Sequence, residues 1–409
     1  MTTKAVLQPL HKNPAFLSLW TLGALNSTGR WLETLVVAIF VLDQTGSPFL
    51  VAGMLVLRLL PMALFGIFGG IIADRLNRYT LLRIASGILT VVALGLWWLA
   101  RNDLLEVWHV GLGSFISGLI WSTDFPVRRT LMADLAGPAR VSRAMSLDIL
   151  AGSGTRTLGP LLGGVLYQQI GIEGAFLLAG ALYLAGLTLI AWAKKQNETP
   201  QSDRRSVLDD IRHGIAILRD HEFLRGLLMV TIIFNIWGFP FVSMVPVVAK
   251  DFLELSDAAT GFLVSAEGAG ALIGAVALSI FGRSEHGRYF FSFAVLTYCL
   301  FALAFSFSTE LWLSATLLLS VGFVSAAFGA MQSALVLMNS PAGYQRQMMG
   351  VLAVCIGTAP LGFLHIGFLA DTFGPTIACT ITAIEGTVAM LLAIWRWPSL
   401  IKKQPVDTT

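Results

Sequence analysis

The chain has 409 residues, of which 56% are hydrophobic and only 12% charged, with a mean hydropathy of +0.75 and a formal charge of +3. Soluble domains carry about 25% charged residues, so this composition excludes a soluble protein and predicts an all-α protein that crosses a membrane many times. The small net charge gives no footing for nucleic-acid binding. Cys299, Cys355 and Cys379 sit in apolar runs without CxxC or Cys/His spacing, so they read as small buried hydrophobes and neither a metal site nor a cofactor is expected.

A bilayer span takes about 20 mostly apolar residues. By that measure six apolar segments run over 16–42, 49–73, 81–100, 104–126, 144–167 and 175–193. Six more follow a polar connection, over 224–249, 258–281, 289–308, 311–338, 348–370 and 376–395. The expected architecture is twelve transmembrane helices in two six-helix bundles, 1–193 and 223–409, joined by a cytoplasmic linker over 194–222. In that linker Val207, Leu208, Ile211, Ile215 and Leu218 recur at helical spacing, which predicts an amphipathic helix lying on the inner leaflet.

Charge placement predicts the orientation. With both termini inside, Arg101 and Lys250 are the basic residues of the outer loops, Arg30, Arg58 and Arg156 fall within spans, and the other lysines and arginines lie on the inner side. Asp43, Asp103, Glu106, Glu173, Asp257 and Asp371 fall outside. This is the positive-inside pattern. Gly53, Gly66 and Arg75 recur in the same order as Gly261, Gly274 and Arg283, and Pro160 has a counterpart in Pro360. The halves therefore read as distant parallel repeats, an architecture of alternating-access transporters.

The second segment ends in Gly70-Ile-Ile-Ala-Asp74-Arg75-Leu-Asn77-Arg78, which resembles the loop 2–3 signature of the major facilitator superfamily. Arg58 with Pro61, Pro126 to Arg128, Gly159-Pro160-Leu-Leu-Gly163-Gly164, and Pro360-Leu-Gly362 with Gly367 and Asp371 resemble the bacterial drug and siderophore efflux branch. Asn77 stands where that signature has glycine, a substitution that asparagine's tolerance of left-handed backbone permits. Tyr79 and Thr80 thin its basic cluster, and the matching second-half turn lacks an acid at the position of Asp74. The resemblance implies a central cavity lined by spans 1, 4, 7 and 10, and a cytoplasmic gate drawn from Gly70, Asp74, Arg75, Arg78, Asp124 and Arg128. An Arg78–Asp124 latch is expected there, with span 4 ending near Pro126 and Asp148 in the same inner network. Gly159, Pro160, Gly163 and Gly164 resemble the motif associated with antiporters.

Ionisable side chains inside a bilayer are costly and therefore informative. Arg30, Glu33, Arg58, Arg156, Glu267 and Glu385 fall near the middle of predicted spans, and their formal charges cancel. Glu33, Glu267 and Glu385 are the proton-coupling candidates. Arg30 and Glu33 share a helix face with Asn26, as a substrate or proton site or as a self-neutralising structural pair. Arg156 is expected to meet Glu33 or an anionic substrate. Asn26, Arg30, Arg58, Arg156, Asn235, Trp237 and Gln332 are the substrate-cavity candidates, and His365 reads as a lone packing histidine. The chain shows no H-E-x-x-H or G-x-S-x-G and no extramembrane domain to hold enzyme chemistry.

The expected function is proton-coupled export of an amphipathic small molecule, drug-like or siderophore-like, by a monomer in the bacterial inner membrane. Its partners are then the substrate, protons and the lipid bilayer. Uptake of an anionic metabolite or siderophore is the alternative. Metal-ion export and a non-transporting membrane sensor are weaker ones.

Overall fold

The computed structural model describes residues 10–75, 77–137, 140–192, 218, 221–281, 287–341 and 344–402. Every described regular element is helical, as a bilayer demands, because a helix satisfies its backbone polar groups within itself. The first half holds α1 (Pro14–Thr45), α2 (Pro48–Arg75), α3 (Arg78–Arg101), α4 (Val107–Ala136), α5 (Val141–Ile170) and α6 (Ile172–Trp192). The second holds α7 (Glu222–Ile233), α8 (Asp257–Phe281), α9 (Gly287–Ser306), α10 (Leu311–Asn339), α11 (Gln345–Ile356), α12 (Ala359–Phe373) and α13 (Pro375–Arg396).

Among the described residues nine helical stretches are long and apolar enough to cross a bilayer, so the protein is a multi-pass membrane protein. α2, of which Pro48–Leu64 counts as a shorter apolar helix, falls outside that set, and so do α4 and α5. For α4 and α5 the cause is charge. They carry Asp124, Arg128, Arg129, Asp148 and Arg156, which lower their apolarity. The amphipathic linker helix expected over 194–222 lies largely outside the described residues.

Several expectations about the helices need correction. Span 4 does not end near Pro126: α4 runs on to Ala136 with Pro126 inside it. An interior proline costs about 3 kcal/mol, but Val127, Leu131, Met132 and Ala136 extend the buried stripe beyond it, and their packing outweighs the lost hydrogen bond. Span 7 is not one regular helix. After α7 it passes through a π turn at Phe234–Gly238, a 3-10 turn at Phe239–Ser243 and a second π turn at Val248–Phe252, because Pro240 and Pro246 remove donors from the ladder. Span 11 likewise breaks at Gly357 and Thr358, with Pro360 in the first turn of α12. Asn77 is not left-handed. Its φ is −59°, and its side chain caps α3 by accepting from the amides of Tyr79 and Thr80 at 3.1 and 3.3 Å, the usual work of an N-cap asparagine.

α1 packs on α5 and α6, α3 on α6, and α2 on α4. α10 packs on α8 and α9, and α13 on α9. Two large contacts join early to late helices, α5 with α8 and α2 with α12. Glycines set both. Gly164 on α5 and Gly261 on α8 face each other so closely that a side chain on either would strike the other's backbone, and Gly367 on α12 leaves room for Ala52 and Phe49 of α2.

A group of polar contacts between early and late residues lies at one end of the molecule. There Ser47 donates to Asp371 at 2.8 Å, the early Asp43 lies 3.6 Å from Lys250, which also bonds to the late Asp257 at 2.6 Å, and the Gln168 side chain accepts from the amide of Ala258 at 2.9 Å. At the opposite end the described ion pairs of α3, α4 and α5 stay within the first half: Arg78 with Asp134, and Arg128 and Arg129 with Asp148.

Candidate functional site

Several ionisable side chains within the spans form pairs that join different helices. The first joins α1 to α2: Arg58 Nη2 lies 3.0 Å from Glu33 Oε2, with 8% and 6% of the two side chains exposed. Arg58 also donates to the Thr34 hydroxyl and to the carbonyl of Arg30. Glu33 therefore does not pair with Arg30, as their spacing on one helix suggested. Gly118 of α4 sits directly on the Arg58 carbonyl, so α2 can approach closely. Arg58 then brings a second cation to Glu33 with better geometry than a neighbour on the same helix.

Arg30 turns instead to α4, where its guanidinium lies 4.7 Å from the ring centroid of Trp121. Its only hydrogen bond among the described residues is to the Ser27 hydroxyl at 3.2 Å. Ser27 in turn accepts from Thr155 of α5 at 2.8 Å. A cation over an indole face is stabilised by the ring quadrupole without being neutralised, so Arg30 keeps its charge and most of its donors.

The second pair bridges the two halves of the chain. Arg156 Nη2 of α5 lies 2.5 Å from Glu267 Oε1 of α8, and the guanidinium rests 5.1 Å from the Trp31 centroid. Gly268 abuts the Arg156 backbone, and Gly159 abuts Trp31 and the amide of Leu32. Gly163 lies against Leu32 and Gly164 against α8, while the Pro160 carbonyl meets Gly261. The glycine-proline motif thus presses α5 onto α1 on one side and α8 on the other, and so positions Arg156. Arg156 takes the second-half carboxylate, not Glu33, which Arg58 already occupies.

The third cluster surrounds Glu385 on α13. Its Oε2 accepts from Trp237 Nε1 at 3.0 Å and lies 2.7 Å from His365 Nε2 of α12. His365 is therefore not a lone packing residue. Asn26 donates to Ser86 at 3.4 Å, Asn235 to the Thr231 carbonyl at 2.9 Å and Gln332 to the Thr231 hydroxyl at 3.2 Å. All three side chains are buried; the bonds of Asn26 and Gln332 cross between helices and help to hold them together, while that of Asn235 stays within its own helical stretch.

The expected latch differs in its partner. Arg78 bonds to Asp134 at 3.0 Å, not to Asp124, because α4 extends far enough past Pro126 to carry Asp134 to the level of Arg78. Replacing either member of this half-exposed pair is expected to cost no more than about 1 kcal/mol, readable as an almost unchanged melting temperature in detergent. Arg128 and Arg129 share Asp148 at 2.6 and 2.7 Å. Gly70, Asp74 and Arg75 lie in α2, and their side chains fall outside the described residues.

Sequence reasoning missed Thr34, Asp134 and the Lys250–Asp43–Asp257 cluster. The last had a readable signal, since a basic residue facing several acidic loops invites pairing. Asp134 had none.

A family model described as transmembrane secretion effector, from the major facilitator superfamily (MFS), matches residues 4–406. The MFS-type transporter YfiS of Bacillus subtilis is 25% identical over 388 residues, covering 91% of this chain and 90% of its own. Macrolide efflux protein A of Streptococcus pyogenes is 21% identical over 66% of this chain and 67% of its own. Among solved structures, a mutant form of the nucleoside transporter NupG matches with a TM-score of 0.72 at 15% identity, covering 94% of this chain and all of that one.

Proposed function

The chain belongs to the transmembrane secretion effector family of major facilitator transporters, and we propose that it exports an amphipathic small molecule by proton-coupled alternating access. It is a transporter, not an enzyme. In this reading residues 1–193 and 223–409 form two six-helix bundles, twelve spans in all, which rock about a central cavity while 194–222 tethers them on the cytoplasmic side. Both termini face the cytoplasm of a bacterial cell, and the protein works as a monomer in the inner membrane. The contacts of Ser47 with Asp371, Asp43 with Lys250 and Gln168 with Ala258 then hold the outer face together.

The observation that carries the reading is the Arg156–Glu267 ion pair across the α5–α8 contact. Protonating Glu267 cancels its charge, frees Arg156 and weakens the link between the bundles. Losing the proton restores the link. A carboxylate whose proton state changes the contact between moving bodies couples the proton gradient to their motion. Arg156 changes its availability to substrate in the same step. Efflux by the macrolide relative supports an amphipathic cargo.

In everted membrane vesicles, proton-driven accumulation of a labelled macrolide tests this. Glu267→Gln is expected to lower that accumulation about tenfold or more, within the range of coupling free energies of about 1–3 kcal/mol, while exchange without a gradient persists. Unchanged gradient-driven accumulation in the variant would remove Glu267 from coupling. Uptake of an anionic molecule is the second reading, favoured by Arg30, which has no ion-pair partner among the described residues. Accumulation by intact cells in place of everted vesicles would establish it. Metal export has less support: Glu33 and Glu267 each face an arginine, and His365 faces Glu385.

A further inference from the structure

One buried carboxylate has no part in the pairs above. Asp124 is 7% exposed and lies twelve residues before the end of α4, roughly 18 Å along a helix rising 1.5 Å per residue. That puts it well inside the bundle and away from the helix end where a latch would act. Among the described residues its Oδ1 is buried without a hydrogen-bond partner, and so is the Nε1 of Trp121, one turn earlier on the same helix. Asp124 forms no ion pair among the described residues. A buried carboxylate oxygen without a partner is costly, and here it shares a helix face with an unpartnered indole N–H.

The neighbours explain why Asp124 stands alone. The charged groups facing it are Arg128 of its own helix, Arg30 of α1 and Asp148 of α5. Arg128 is held by Asp148 at 2.6 Å, and Asp148 is also taken by Arg129. From α2 the described charge is Arg58, committed to Glu33; the side chains of 65–76 lie outside the described residues. From α3, Arg78 is committed to Asp134, and Arg83 donates to the carbonyls of Ile190 and Ala191. This leaves Arg30, whose guanidinium rests on Trp121 with donors to spare. α1 and α4 run antiparallel here, so that Arg30 lies beside Trp121 and Gly23 beside Arg128. Asp124 falls between those two levels, within reach of a rotated Arg30 side chain.

We propose that Asp124 is a second proton-binding carboxylate of the transporter, which captures Arg30 when it loses its proton and releases Arg30 to Trp121 when it gains one. The step is a proton transfer to or from Asp124 Oδ1 with water as the exchanging partner, and no other bond changes. An isolated ionised carboxylate in a low-dielectric interior is strongly disfavoured unless paired. The charged form therefore draws in Arg30, the one guanidinium facing it that is uncommitted among the described residues, whereas the neutral form leaves it on the indole, free to meet an anionic group on cargo. This rests on the transporter reading but not on Glu267, so the two proton sites can fail separately.

Acid-minus-alkaline infrared difference spectra of the purified full-length protein test it, through the carbonyl stretch of protonated carboxyl groups. One such band is expected to vanish in Asp124→Asn, remain in Glu267→Gln and move in Asp124→Glu. In parallel, the pH dependence of Trp121 emission, taken as wild type minus Trp121→Phe, is expected to disappear in Asp124→Asn. A structural hydrogen-bonding role would move neither readout. An Asp124→Asn spectrum identical to wild type would overturn the proposal. If that variant does not fold, an Asp124→Glu band at the wild-type position would overturn it instead.

Discussion

Arg58→Ala is expected to destabilise the protein by about 3–5 kcal/mol, the cost of leaving one member of a buried ion pair uncompensated. Glu33 would lose the cation 3.0 Å away, and the Thr34 hydroxyl and the Arg30 carbonyl would lose the donor they share. Arg30 could answer only by leaving Trp121. Thermal unfolding in detergent should show a large fall in melting temperature. Arg58→Met combined with Glu33→Gln should recover most of it, because removing both charges also removes the desolvation that the pair must offset. If the double variant were no better than Arg58→Ala, the loss would lie in packing at Gly118 and not in the charge.

The second large effect lies where α8 and α10 touch. A side chain at Gly322 would overlap the Glu267 carbonyl oxygen, and one at Gly270 would overlap the carbonyl of Leu319. Helices this close depend on small residues and dispersion, since lipid tails supply no hydrophobic drive between them. Gly322→Val is therefore expected to cost about 3 kcal/mol, the upper part of the range for overpacking, and to push α8 sideways with Glu267 on it. Gly329→Ala on the same helix is the control: nothing stands within 4 Å of the added methyl, and alanine should gain up to about 1 kcal/mol of helix propensity. Equal melting temperatures for the two variants would refute the contact.

Glycine patterns were legible in the sequence. Gly159, Gly163 and Gly164 stand out there by their spacing around Pro160, and each proves to sit against a neighbouring helix. Nothing in that spacing told which neighbour: Gly163 meets α1 and Gly164 meets α8. Proline was read less well. Pro126 suggested the end of a span but lies inside α4, while Pro240 and Pro246 break a span that hydropathy reads as continuous. The penalty is similar in each case, and the packing beyond it decides the outcome.

The ionisable residues were found by position and mispaired by proximity. Arg30 and Glu33 look like partners because they stand one turn apart, yet Glu33 takes Arg58 and Arg30 takes Trp121. Arg156 and Glu267 stand 111 residues apart in different halves of the chain, and no spacing rule connects them. His365 and Glu385 were weighed separately and meet at 2.7 Å.

By itself the sequence determined that this is an all-helical, multi-pass membrane protein of the major facilitator superfamily, and which of its residues are costly in a bilayer. Those properties follow from sums over some twenty residues or from short local motifs, so an error at one position hardly matters. Tertiary structure alone decided which charge meets which, that Asp124 is left without a partner among the described residues, and that α4 carries Asp134 out to Arg78. Such pairings depend on the rotation and register of one helix against another. A change of one residue in register moves a side chain by about 100° around the helix, and no local property of either segment records it.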